Sequence, residues 1–150
     1  ISRGLVGSEM CIRDRTEYSD QIKKILNQFL IFFEVLKIDL DISFCTETEI
    51  KVLNKKFRGK DSSTNVLSFP DKEQKNISNM CIGELMVCQK IIELEASDQE
   101  KIIFDHFIHL LIHSMLHILG YAHENENDAI LMESKEVEFL SKIGVKDPYK

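Results

Sequence analysis

No CxxC pair occurs among the four cysteines of this 150-residue chain, Cys11, Cys45, Cys81 and Cys88. Structural zinc sites and redox motifs use paired spacings of that kind. Their absence reads the cysteines as buried thiols of a reducing compartment, not as disulfides or metal ligands. No apolar run approaches the roughly 20 residues of a membrane span. The candidate nearest in length, Ile25 to Ile38, is broken by Asn27, Gln28, Glu34 and Lys37. With two prolines and six glycines there is no Pro/Gly-rich linker, and repeats and low-complexity tracts are missing too. No domain boundary is therefore expected, and the length is one domain's worth. A cytoplasmic protein without membrane attachment is the expectation.

Excess positive charge is also lacking. The net charge is −6, which argues against a general polyanion-binding surface. A local basic cleft remains open, because screening makes nearby charge count for more than the total. At 43% hydrophobic and 29% charged residues, the composition is that of an ordinary globular protein with a real core. Residues 1–15 have no consistent period and are too polar for a signal peptide. They resemble a translated sequencing-adapter string, so this segment is expected to be non-native or disordered. The single domain is expected over 16–150.

Periodicity gives the element order. Ser19 can cap a helix from about Asp20, with Ile22, Ile25, Leu26, Phe29, Leu30 and Phe33 on one stripe. Leu40, Ile42 and Phe44 alternate with Asp39, Asp41 and Ser43, as in a half-buried strand. Thr46 and Glu49 match a capping box, opening a helix with Ile50, Leu53 and Phe57 that ends near Gly59. Residues 59–64 read as a loop, Val66 to Phe69 as a short strand stopped by Pro70, and Asp71 to Asn79 as an exposed connection. Met80 to Cys88 is a second clear strand. Helices are expected from about Asp98 to Leu119 and Asn127 to Ile143. The resulting fold class is α+β: a small mixed β-sheet flanked by helices, with a buried central helix that carries histidines.

That helix holds the chain's most informative pattern, His113-x3-His117-x5-His123, with Gly120 inside it. His113 and His117 are one turn apart on a single helix face. Gly120 is suited to end the helix in the left-handed conformation, so that the chain can turn back and bring His123 towards the other two. Three converging imidazoles suit a tetrahedral zinc ion with one position open, which is the catalytic arrangement. The ordinary alternative is a set of core histidines. Against it, His106, His109, His113 and His117 fall in one stripe, opposite Phe104, Phe107, Leu111, Met115 and Ile118. A helix apolar nearly all round is buried, and several buried imidazoles are costly unless something satisfies them. His106 and His109 read either as groups that steady the ligands or as polar residues of the cleft wall.

A second constellation is Lys55-Lys56-Phe57-Arg58-Gly59-Lys60, followed by Asp61-Ser62-Ser63-Thr64-Asn65. Cations at a helix end are partly explained by the helix dipole, and a solvated charge run is the default. Arginine also suits bidentate phosphate binding, with lysine adding a point charge. Composition alone leaves the two readings balanced.

Here a resemblance enters. The segment His113-Ser-Met-Leu-His117-Ile-Leu-Gly120-Tyr121-Ala-His123 is similar to the HGxLHLxGYDH signature of the YbeY family. Asn54-Lys-Lys-Phe-Arg58 through Thr64-Asn-Val-Leu-Ser-Phe-Pro70 is similar to its NxxxR…TDVLSFP signature. Gly83-Glu84-Leu85, Met132-Glu133 with Glu136, and Asp147-Pro148-Tyr149 also agree with the family pattern. These are bacterial metal-dependent endoribonucleases of ribosomal RNA maturation. The resemblance implies that His113, His117 and His123 hold one Zn²⁺ and that Arg58 is catalytic. Arg58 and Lys60 would bind substrate phosphate. It implies single-strand-specific cleavage of RNA in rRNA processing, at the 3′ end of the small-subunit RNA, and in ribosome quality control. Ribosomal proteins or assembly factors would be partners; DNA would not. Glu84 and Glu124 are candidate bases.

Three positions depart from the pattern. Asn65 stands where aspartate is common, Ser114 replaces glycine, and Ala122 replaces the aspartate before the third histidine. None removes a ligand. Two rival readings stay in view. One is a zinc peptidase, although Ser114 occupies the place where HExxH enzymes put their glutamate. The other is a non-catalytic ribosome-assembly factor with structural zinc.

Overall fold

The computed structural model describes residues 2–6, 16–71, 79–121 and 125–150. Its elements run β1 (Ser2–Val6), α1 (Thr16–Phe32), β2 (Lys37–Phe44), α2 (Glu47–Arg58), β3 (Val66–Pro70), β4 (Met80–Val87), α3 (Gln89–Asp98), α4 (Ile103–Leu119) and α5 (Glu126–Lys142). The strands form one sheet in the order β1-β2-β4-β3. β2 and β4 are parallel, while β1 and β3 run antiparallel to their neighbours. The expected small mixed sheet flanked by helices is what forms, and Ser2–Val6, inside the segment expected to be non-native or disordered, supplies an edge strand, β1.

Strand alternation divides the sheet into two faces. Ile38, Leu40, Ile42, Leu85 and Val87 join the main core, together with Phe29 of α1, Ile92 of α3, Ile108, Ile112 and Met115 of α4, and Met132, Phe139 and Leu140 of α5. Leu67 faces the other way, into a smaller cluster with Ile50 of α2 and Cys88; Phe69 and Met86 pack against it. So α2 covers one face and the remaining core helices cover the other. Of the stripe expected on α1, Ile22, Ile25, Leu26 and Phe29 are buried, while Leu30 is half-buried and Phe33, also half-buried, lies just past the helix end. Phe29 meets Phe139 edge-on, with ring centroids 5.5 Å apart, which ties α1 to α5.

Local signals work where capping chemistry is present. Thr46 and Glu49 form the reciprocal capping box, and Gly59 ends α2 in the left-handed region at φ 69°. Two helix boundaries differ from expectation. α1 begins at Thr16, ahead of Ser19. The helix expected from about Asp98 begins at Ile103 as α4, and a separate, unexpected helix, α3, occupies Gln89–Asp98. α3 escapes notice because neither end is marked. Cys88 makes no side-chain cap and Gln99 ends the helix without glycine. Ile92 and Ala96, one turn apart, are its whole buried stripe.

Gly83 accounts for one motif. A Cβ there would stand 2.6 Å from the Phe69 carbonyl oxygen and 3.1 Å from the Pro70 Cα. Backbone cannot yield as a flexible side chain does. Gly83→Ala is expected to destabilise the fold by about 1–3 kcal/mol, read as a lower urea midpoint with an unchanged slope.

Candidate metal centre and its surroundings

α4 is buried nearly all round, with Ile108, Ile112, Met115 and Leu116 at or near zero exposure. Its polar stripe is therefore enclosed by protein on most sides. Gly120 closes the helix at φ 108°, a value that side-chain-bearing residues resist. That turn places the Tyr121 carbonyl 3.1 Å from His117 Nδ1. A carbonyl only accepts, so His117 Nδ1 carries its hydrogen and Nε2 keeps its lone pair. His113 Nδ1 lies 2.9 Å from Glu136 Oε2. Burial alone, the largest single influence, would push the Glu136 carboxyl up; the His113 and His109 imidazoles beside it outweigh that and hold it at about 2. The ionised carboxylate accepts from His113 Nδ1, leaving the His113 Nε2 lone pair as well.

The two Nε2 atoms are 3.1 Å apart. Lone pairs at that distance repel unless a proton or a cation lies between them. Two nitrogens on one tetrahedral zinc would be about 3.3 Å apart, given Zn–N bonds near 2.0–2.1 Å. The donor set therefore fits a metal ion held by His113 and His117. His123, the third expected ligand, lies outside the described residues, as do Ala122 and Glu124.

A second convergence involves His109, His113 and Glu136, whose donor atoms all lie within 4.8 Å of one another. His109 Nε2 is 2.5 Å from Glu136 Oε1, closer than two ligands of one zinc ion stand. Their alignment is not that of a hydrogen bond, and His109 Nδ1 has no partner among the described residues. Tyr149 donates its hydroxyl to Glu136 Oε1 at 3.1 Å. This group reads as the support of His113: a carboxylate on the far nitrogen fixes the tautomer and orientation of a metal-binding imidazole. Sequence reasoning gave Glu136 no role. A signal existed, because Glu136 shares the buried stripe of α5 with Met132, Phe139 and Leu140. A fully buried carboxylate on an apolar stripe needs partners.

The basic constellation lies elsewhere. Arg58 is exposed on the last turn of α2, and Lys60 is exposed just beyond it. Both belong to the helix on the opposite sheet face from α4, and no hydrogen bond or ion pair joins them to the histidines among the described residues. Phe57 holds this end of α2 to the edge strand, its ring 5.0 Å from Phe69. Asn54 is 1% exposed and donates to the Ser62 carbonyl at 2.8 Å, which pins the 59–64 loop to α2. Glu84 is exposed on β4, beside Asp41 of β2 in the sheet register.

The family model described as Endoribonuclease YbeY matches residues 8–144. The chain belongs to this family. Endoribonuclease YbeY of Alteromonas mediterranea is 39% identical over 111 residues, covering 74% of this chain and 70% of that protein. The solution structure of a Thermotoga maritima protein is similar at TM-score 0.56 and 25% identity, covering 88% of this chain and 93% of that one. As a YbeY family member the chain is an endoribonuclease, a hydrolase of RNA.

Two of its departures from the family pattern now have physical reasons. Ser114 is buried and donates its hydroxyl to the Leu110 carbonyl at 2.8 Å, so it points along its own helix. Asn65 donates its amide to both Glu95 oxygens, at 3.0 and 3.3 Å, while its side-chain oxygen accepts from the Val66 N–H. Glu95 also takes His106 Nε2 at 3.0 Å. An aspartate at 65 would set two carboxylates against each other. Asn65→Asp is expected to cost about 1–3 kcal/mol at neutral pH. Adding Glu95→Gln, whose amide can donate to the new carboxylate, should recover most of that loss in the same urea titration.

Proposed function

We propose that this protein is a zinc-dependent, single-strand-specific endoribonuclease of rRNA processing, acting at the 3′ end of the small-subunit RNA and in ribosome quality control. The observation that carries the metal part is the pair of Nε2 atoms 3.1 Å apart, each imidazole fixed through its other nitrogen. His113, His117 and His123 would hold the ion. When bound, zinc supplies an activated water and Lewis-acid polarisation of the phosphodiester. Arg58 would bind the substrate phosphate and neutralise its charge, a role that rests on the NxxxR resemblance and not on proximity to the histidines. Lys60 adds a second cation. The working unit is the single domain over 16–150, in the cytoplasm, with ribosomal RNA as substrate and ribosomal proteins or assembly factors as partners. DNA and membranes are not among them. Family membership supports the RNA part of this reading, and the resemblance of the NxxxR segment supports the part given to Arg58.

The test joins metal content to RNA cleavage. Wild-type protein should bind one zinc ion and cut RNA, and His117→Ala should lose both while remaining folded. Arg58→Glu should abolish cleavage with zinc content intact; loss of zinc in that variant would make Arg58 a structural residue. Chelation should remove activity and leave far-UV circular dichroism largely unchanged. Unfolding on chelation would point instead to an assembly factor whose zinc holds the fold.

A further inference from the structure

The last residues of the chain dock against the histidine helix. Lys101 Nζ donates to the Pro148 carbonyl at 3.1 Å, and the Tyr149 N–H donates to Asp147 Oδ1 at 2.8 Å. The Tyr149 ring meets the His109 ring edge-on, with centroids 5.6 Å apart at 83°. From that seat its hydroxyl reaches Glu136 Oε1 at 3.1 Å. The other oxygen, Oε2, holds His113 Nδ1 at 2.9 Å. A continuous chain of contacts therefore runs from the C-terminal segment, through a carboxylate of zero exposure, to the imidazole that offers Nε2 to the metal.

We infer that Tyr149 is a positioning residue of the metal centre, acting through Glu136 to hold His113 in its metal-binding orientation. The inference rests on the metal reading proposed above. A carboxylate has several lone-pair sites, and in a buried place each unfilled one costs free energy. His113 uses one oxygen. On the other, the contact with His109 is poorly aligned, so the Tyr149 hydroxyl is the well-formed donor. Without it the carboxylate can rotate or draw in water, and His113 loses the fixed acceptor that sets its ring. Removing such outlying partners of metal ligands typically weakens metal affinity by 10–100-fold.

Tyr149→Phe deletes the hydroxyl and keeps the ring against His109, so the segment stays docked. Zinc affinity is measured on the full chain by competition with a chelating dye, using Zn²⁺ alone, in the wild type, Tyr149→Phe, Glu136→Gln and the double variant. Thermal melting of the metal-free proteins reports on the fold. The expected result is about tenfold weaker zinc binding in Tyr149→Phe, with the metal-free protein melting lower but still fully folded at the temperature of the titration. In the Glu136→Gln background the same substitution should have no further effect, because its route to His113 has been cut. Undiminished affinity in Tyr149→Phe would overturn the inference, as would an equal loss in both backgrounds, since Tyr149 would then act by some other path. A wild type that takes up no zinc would overturn the metal reading itself, an outcome distinct from either of these.

Discussion

The structure turns on one buried charge. Glu136 has zero exposure, and its two oxygens meet His113 and His109 of α4 and Tyr149 of the C-terminal segment. Removing a partner from a buried, paired charge typically costs about 3–5 kcal/mol. α5 can therefore pack on α4 in few registers: the carboxylate must arrive opposite His113 to within a fraction of an ångström. The same register places Phe139 against Phe29, and so carries α1 with it. Core packing and site geometry are one constraint here. A shift of α5 by one turn would strand the carboxylate in the core and empty the space that Phe139 fills.

A second polar tie works at the other end of α4. Glu95 of α3 receives His106 and Asn65, so β3, α3 and α4 meet at a single side chain. The Cys88 N–H donates to the Asn65 carbonyl at 2.8 Å, which fastens the start of β3 to the exit of β4. Among the described residues β3 is an edge strand, paired by backbone bonds with β4. Gly83 lets the two strands approach at their other end. The edge strand is thus fixed by side-chain chemistry at its beginning and by a missing Cβ near its close, and the end of α2 that carries Arg58 is hung on it through Phe57.

How much of this was legible follows from the range of the forces involved. The capping box at Thr46, the left-handed ends at Gly59 and Gly120, and the alternation of β2 are local, and the sequence declares them. The pairing of His113 with His117 is local too, one turn apart on one helix. The third element of the support, Glu136, is 23 residues from His113, and no spacing rule reaches across a loop into another helix. The family motif marked it without saying what it does. α3 was missed for a different reason: it lacks capping residues and buries only Ile92 and Ala96, so its stability comes from the contacts of Glu95 and the core, which are tertiary. Among the described residues Cys81 and Cys88 are buried free thiols as expected, while Cys45 is only half-buried. Burial pushes the Cys81 thiol up to about 12 and, with nearby Cys88 and Glu49 adding to it, the Cys45 thiol to about 11, so neither is a ready nucleophile.

On the proposed reading, an acidic chain must act on a polyanion, and the placement of charge shows how that conflict is eased. Among the described residues, the carboxylate that touches the metal-binding His113 is Glu136, and it is buried and takes donors from inside the protein. The cations Lys51, Lys55, Lys56, Arg58 and Lys60 are all exposed and belong to one helix and its exit. Segregation of this kind makes a local field that differs in sign from the whole. Screening at physiological salt cuts the reach of charge to about 8 Å. A phosphate at the end of α2 then responds chiefly to those cations, offset in part by Asp61, whose carboxylate lies 4.0 Å from Lys55 Nζ. The net charge of −6 would instead weaken attachment elsewhere on the molecule, which favours strands that enter at the basic end over RNA lying at random on the surface.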